Sequence, residues 1–187
     1  MIEVAEVGTV KLDRIAAVLA GIPGGMREAI DNALKRAAAR SKTEAGRYVA
    51  NEYTMSQGNV RKNVQVRTDA TGGGGSVSLN IVFRGTAIKL IEFKTRASKT
   101  GGVYAQVKKG GGGTLGSAFE ASMKSGHKNI FARVGTKRLP IEGKYGPSVP
   151  SMIANETIVE SMTETVREEF DRRIEHEVYR LLNGFGG

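Results

Sequence analysis

Cysteine is absent from the 187-residue chain, which excludes disulfides and thiolate metal sites and leaves the redox compartment undetermined. Tryptophan is absent too, and aromatic residues make up only 6% of the sequence, few for a surface that binds nucleic acid by base stacking. The two histidines, His127 and His176, lack the spacing of a zinc motif, although carboxylate sites for a hard cation stay open. No run of about 18 apolar residues occurs, so no membrane span is expected. The opening MIEVAEVGTV has no basic stretch followed by an apolar one, so no secretory signal is expected either. Proline is scarce, and three of the four, Pro140, Pro147 and Pro150, crowd into RLPIEGKYGPSVPSM.

What is present is positive charge, unevenly spread. The net charge is +9, but residues 1–53 carry +1, residues 54–145 carry +12 and residues 146–187 carry −4. A concentrated positive field favours nucleic acid or an acidic protein surface as partner and says nothing direct about fold. The length suits one domain over 1–187, in three regimes: a helical region over residues 1–53, a basic β-rich region over residues 54–145 with glycine-rich loops, and a proline elbow with an acidic helix over residues 146–187.

The spacing of Leu12, Ile15, Ala16 and Leu19 predicts a short helix stopping near Gly21, before Pro23. A longer one should follow, with Met26, Ile30, Leu34, Ala37, Ala38, Ala45, Tyr48 and Val49 on one face. Its run of small residues (Ala37, Ala38, Ala39, Ala45, Gly46) lets another backbone come close, either within the chain or from a neighbouring subunit. MSQGNVRKNV reads as a short helix capped by Ser56. NVQVRTD and SVSLNIVFRG read as strands joined through Gly72 to Gly75, and VYAQVKK and NIFARVG as a second pair flanking Gly110 to Gly113. The last helix repeats Ile158, Met162, Val166, Phe170, Ile174, Val178 and Leu182 in steps of four, with Asn155 as cap and Asn183-Gly184 as stop. The expected class is therefore α+β: a small, mostly antiparallel sheet flanked by long N-terminal and C-terminal helices.

Neither tetraglycine run fits a P-loop. GGGGTLGSAF lacks the Lys-Ser or Lys-Thr that would complete a phosphate cradle, and TGGGGSVSL leads into a strand. Both read instead as flexible hairpin ends. No convergent set of nucleophile, base or metal ligands stands out, so neither an enzyme nor a cofactor is expected. Basic residues carry the only chemical theme, since eleven lie between Lys94 and Lys144 against Glu120 and Glu142 alone. Lys94, Arg96, Lys108, Lys109, Lys137 and Arg138 are the candidates for contact with DNA or with an acidic partner, with a plain solvated surface as the alternative. No helix-turn-helix, zinc finger or RNP signature is present, so any DNA contact would be non-specific and salt-sensitive.

IPGGMREAIDNALKRAAARSKTEAGRYVANEYTMSQGNVRKNV, SMKSGHKNIFARVGTKRLPIEGKYGPSVPSMI and EEFDRRIEHEVYRLL, in that order, resemble the minor tail protein Z family of tailed bacteriophages and prophages. The most specific block runs from Ser125 to Met152, and the glycine runs are less typical. The resemblance implies a structural virion protein located in the tail or neck and assembled in the cytoplasm of a host bacterium. It implies tail completion at the head-proximal end, with the tail tube or terminator and the head–tail connector as partners and no membrane. By analogy with neck rings it implies a hexamer around the DNA channel. The alternatives are a terminator or connector ring protein, or a free, non-specific DNA-binding accessory protein.

A ring of identical subunits joined head to tail needs one surface to complement a different one. The acidic face Glu160, Glu164, Glu168, Asp171 and Glu175 is therefore expected to meet basic residues of the middle region, within or between subunits. Glu164, Glu168 and Asp171, together with Pro140, Tyr145, Pro147 and Pro150 of the stiff elbow, are the candidate subunit-interface residues.

Overall fold

A computed structural model describes residues 2–73, 76–99 and 101–184, with the backbone alone at 2–11, 69–73 and 76–79. The first third, expected to be helical, begins with a strand: β1 spans Ile2–Lys11. Its apolar alternation breaks at Ala5 and Gly8, and the pairing register shifts between Glu3 and Glu6 and between Glu6 and Gly8. The bulges displace the period-two pattern that would otherwise have revealed the strand. A short helix α1 (Asp13–Val18) follows, bracketed by buried Leu12 and Leu19. Gly24 then turns the chain with φ +73°, a left-handed conformation that glycine adopts without strain.

Helix α2 (Gly25–Glu52) runs unbroken for 28 residues, roughly 42 Å at 1.5 Å per residue. Its buried positions include Ala29, Ala33, Ala37, Ser41, Ala45 and Val49, a row of mostly small side chains in steps of four. The short α3 (Gln57–Lys62) starts at Ser56, whose hydroxyl accepts the Asn59 amide at 3.2 Å. Strands β2 (Gln65–Gly73) and β3 (Ser76–Arg84) then pair antiparallel. Within the expected glycine turn, Gly74 and Gly75 lie outside the described residues, while Gly72 and Gly73 end β2 opposite Val77 and Ser76. With β1 on its other side, β3 is the centre of a three-stranded sheet and sends Ile81 and Phe83 into the core.

Short strands fill the middle of the chain: β4 (Ile88–Lys89), β5 (Lys94–Ala97), β6 (Val103–Gln106), β7 (Gly113–Leu115), β8 (Ala118–Ser122), β9 (Lys128–Arg133), β10 (Ile141–Gly143) and β11 (Tyr145–Gly146). They form two further antiparallel three-stranded sheets, β5–β6–β7 and β10–β9–β8, and a pair β11–β4. The expected partnership of VYAQVKK with NIFARVG does not occur. The glycine run turns β6 onto β7, and Gly126, in the turn before His127, returns β8 onto β9. Four consecutive residues of β9, Asn129 to Ala132, are buried, so both faces of this central strand are covered. Asn129 is the polar one among them. Its amide donates to the Lys144 carbonyl at 3.0 Å and its oxygen accepts the Ile91 amide at 3.5 Å, tying β9 to the chain on either side.

Helix α4 (Val149–Ile153) and the acidic α5 (Glu156–Leu182) complete the chain, and α5 begins on Asn155, whose side chain accepts the Thr157 amide at 3.1 Å. Helices α2 and α5 lie side by side and antiparallel: Glu28 pairs with Arg180, and Asn32 donates to Glu177 at 3.2 Å. Helix α5 also packs on β1, and α2 on β2, so both rest on the first sheet. The four-step stripe on α5 is buried at Met162, Val166, Phe170 and Ile174 and half-buried at Ile158 and Val178. At its end the expected Leu182 is 53% exposed and Leu181 is buried instead. Each step of four advances about 40° around a 3.6-residue helix, so the stripe drifts off the core and the neighbouring position takes over.

Two results follow from this packing. Leu181→Ala should cost about 2–5 kcal/mol in chemical denaturation, whereas Leu182→Ala should stay within about 0.5 kcal/mol of wild type. Burial alone would raise Glu169 and Glu177, but hydrogen bonds from Arg172 and Arg173 to the first, and from Arg180 and Asn32 to the second, hold both below the usual carboxylate range. Their stabilisation is complete above the unfolded value of about 4.3 and is lost as pH falls through the lowered folded values. Acid titrations followed by circular dichroism should therefore show Glu177→Gln less stable than wild type at neutral pH but losing less on acidification.

Candidate contact surfaces

The six candidate cations fall in two separate places, Lys94, Arg96, Lys108 and Lys109 in and beside the β5–β6 pair and Lys137 and Arg138 between β9 and β10. Lys94 opens β5, and its backbone amide donates to the Thr54 hydroxyl at 3.0 Å. Arg96, two residues on, stacks its guanidinium 4.8 Å from the ring centre of Tyr104, its direct partner across β5 and β6. Lys108 forms an isolated bridge with Tyr53. Lys109 is committed to the end of α2: its ammonium donates to the Ala50 carbonyl at 2.8 Å and its amide to the Glu52 carbonyl at 2.8 Å. These carbonyls are the unpaired acceptors at the negative end of the helix dipole, where a cation is favourable. Lys94 and Lys109 line one open groove of about 700 Å³ with Ala50, Tyr53, Thr54 and Gln106.

Lys137 and Arg138 stand apart, on the turn joining β9 to β10. All seven residues from 134 to 140 are exposed, and Val134 and Leu139 are each 66% exposed. The turn is closed at its base by the Val134 amide donating to the Pro140 carbonyl at 3.1 Å. It is a basic tip that carries two apolar side chains.

The elbow is more regular than its prolines suggested. It holds β10 and β11, then α4, whose first turn takes Pro150 where no backbone donor is needed, while Ser148 caps it by accepting the Ser151 amide at 3.2 Å. Pro150 is buried, and a Cβ at Gly85 would lie 3.0 Å from its Cδ, so within this chain Pro150 is a packing residue. Pro147 is half-buried, Pro140 is exposed at the base of the tip after a cis peptide bond, and Tyr145 is 51% exposed. Beside the elbow a cleft of about 530 Å³ is lined by Lys62, Arg84, Thr86, Ser148 and Ser151.

On α5 the expected acidic face exists as one stripe. Glu160, Glu164, Glu168, Asp171 and Glu175 are all exposed, and so are Tyr179 and Leu182, which continue the same line. At 100° per residue the seven positions fall within about 100° of arc, on the side away from Met162, Val166 and Phe170. Partial desolvation raises the Asp171 carboxyl above its ordinary range, with Arg167 opposing and Glu175 reinforcing the shift. Within the chain the stripe does not meet the basic middle: among the described residues, no cation from Lys94 to Lys144 pairs with an acid of α5. The paired acids of α5, Glu169 and Glu177, bind arginines of their own helix.

His127 lies 6.1 Å from the Phe131 ring and His176 is exposed on α5. Among the described residues no group of three or more His, Asp or Glu could hold a metal ion, and no helix is long and apolar enough to cross a membrane.

The family model described as prophage minor tail protein Z (GPZ) matches residues 12–185. No curated protein and no solved structure matches the chain.

The geometry separates committed from uncommitted cations. Lys109→Ala should lower stability by about 1 kcal/mol in urea titrations by uncapping α2, while Lys94→Ala should leave the midpoint within about 0.5 kcal/mol.

Proposed function

The chain belongs to the prophage minor tail protein Z family, whose members are structural proteins of phage tails, and from that premise we propose that it completes the tail at its head-proximal end and helps couple tail to head. The role is structural and not catalytic. The match over residues 12–185 carries this reading. The two unlike surfaces support it, because the acidic stripe on α5 and the basic tip between β9 and β10 are what a ring of identical subunits joined head to tail requires. A hexameric ring is the copy number we propose, by analogy with the symmetry of tail assemblies. It would sit in the neck of the virion, assembled in the host cytoplasm, with the tail tube or terminator on one side and the head–tail connector on the other. Lys94, Lys108, Lys137 and Arg138 are the cations we propose for the phosphates of DNA in the channel or for an acidic neighbour.

The test is deletion of the gene from an inducible prophage. The expected outcome is separate heads and tails in place of infectious particles, restored by the gene in trans, with the protein found by mass spectrometry in purified virions. Normal particles that lack the protein would overturn the reading and leave a free DNA-binding accessory role in its place.

A further inference from the structure

The basic tip and the acidic stripe share more than opposite charge. The tip places Lys137 and Arg138 beside Leu139 and Val134, both about two-thirds exposed. The stripe runs through Glu168 and Glu175 and ends in Tyr179 and Leu182, 69% and 53% exposed. Among the described residues Lys137, Arg138, Glu168 and Glu175 are in no ion pair. Each surface therefore offers an unneutralised charge of one sign next to a pair of uncovered apolar side chains. DNA would use the cations of the tip but has no use for its leucine and valine, since phosphate binding is electrostatic. A protein surface that is acidic and ends in an apolar step uses both, and this chain carries one.

We propose that the 134–140 tip of one subunit docks on the C-terminal half of α5 of the next. Leu139 and Val134 then cover Tyr179 and Leu182, while Lys137 and Arg138 face Glu175 and Glu168. The contact rests on the ring reading above and gives it its residues. It joins two different patches, so it propagates from copy to copy and closes when the rotation allows.

Reversing either side should weaken self-association of the purified protein on the order of a hundredfold, because like charges are then brought together. The tip variant is Lys137→Glu/Arg138→Glu and the stripe variant is Glu168→Lys/Glu175→Lys, and all the positions are exposed, so native-like circular dichroism is expected for both. Neither variant should assemble alone by analytical ultracentrifugation. A one-to-one mixture should assemble, since each reversed tip meets a reversed stripe and each wild-type tip a wild-type stripe. As the chain has no cysteine, Leu139→Cys and Leu182→Cys subunits mixed under oxidation should also cross-link to each other. Folded variants that assemble alone, a folded pair that fails to assemble when mixed, or a wild-type protein that stays monomeric at its solubility limit would each overturn the contact. Any of these, alongside separate heads and tails on deletion and their rescue by the gene in trans, would remove the contact and leave the tail role standing.

Discussion

The close antiparallel contact of α2 with α5 is the constraint on which the other elements depend. Two helices of 28 and 27 residues are joined near one end by Glu28 with Arg180 and Asn32 with Glu177. Alanine at positions 29, 33, 37 and 45 of α2 leaves almost no side chain between that helix and its neighbours, while α5 presents Met162, Val166, Phe170 and Ile174. Large groups on one helix and small ones on the other allow close packing without overlap. The first sheet then has a fixed base, with β1 under α5 and β2 under α2. The sheet β5–β6–β7 is fastened at the far end of α2, where Thr54 and Lys109 hold the β5–β6 region by backbone and side-chain bonds.

Charged groups divide according to what they hold. Glu169, Glu177, Arg180 and Lys109 are bound to partners in the chain and serve the fold. Glu164, Glu168 and Glu175 stand in solvent on one line. The net charge of each third of the sequence does not distinguish these groups, although it does locate the excess. What separates them is angle on the helix and distance to a donor.

The long elements were legible because their periods repeat many times. Helix α2, the caps Ser56 and Asn155, the pairing of β2 with β3 and the Asn183-Gly184 stop follow from local pattern. Strands of two to five residues, such as β4, β8 and β11, are too short for a period to show and exist because a neighbour pairs with them. In β1 the bulges hid a pattern that β-branched Ile2, Val4, Val7, Thr9 and Val10 still announced by composition. The elbow was legible as stiff but not as structured, because a proline in the first turn of a helix and one before a strand look alike in sequence. For the contact surfaces, the acidic stripe was readable from spacing. The exposed apolar pairs at Val134 with Leu139 and Tyr179 with Leu182 were not, since a hydrophobic residue near the end of an element gives no sign of whether anything covers it.

The winding of α5 sets what kind of change the chain tolerates. Core side chains and exposed acids advance around the helix together, so a substitution at one position leaves the rest of either line in place. Inserting a single residue near Glu164 would turn everything beyond it by about 100° and carry Ile174 to an exposed position, while deleting one would turn it the other way and carry Asp171 and Glu175 to buried positions. The phase of the helix is thus a stricter constraint than the identity of any one exposed residue on it, and a change of length disturbs the fold least in the turns.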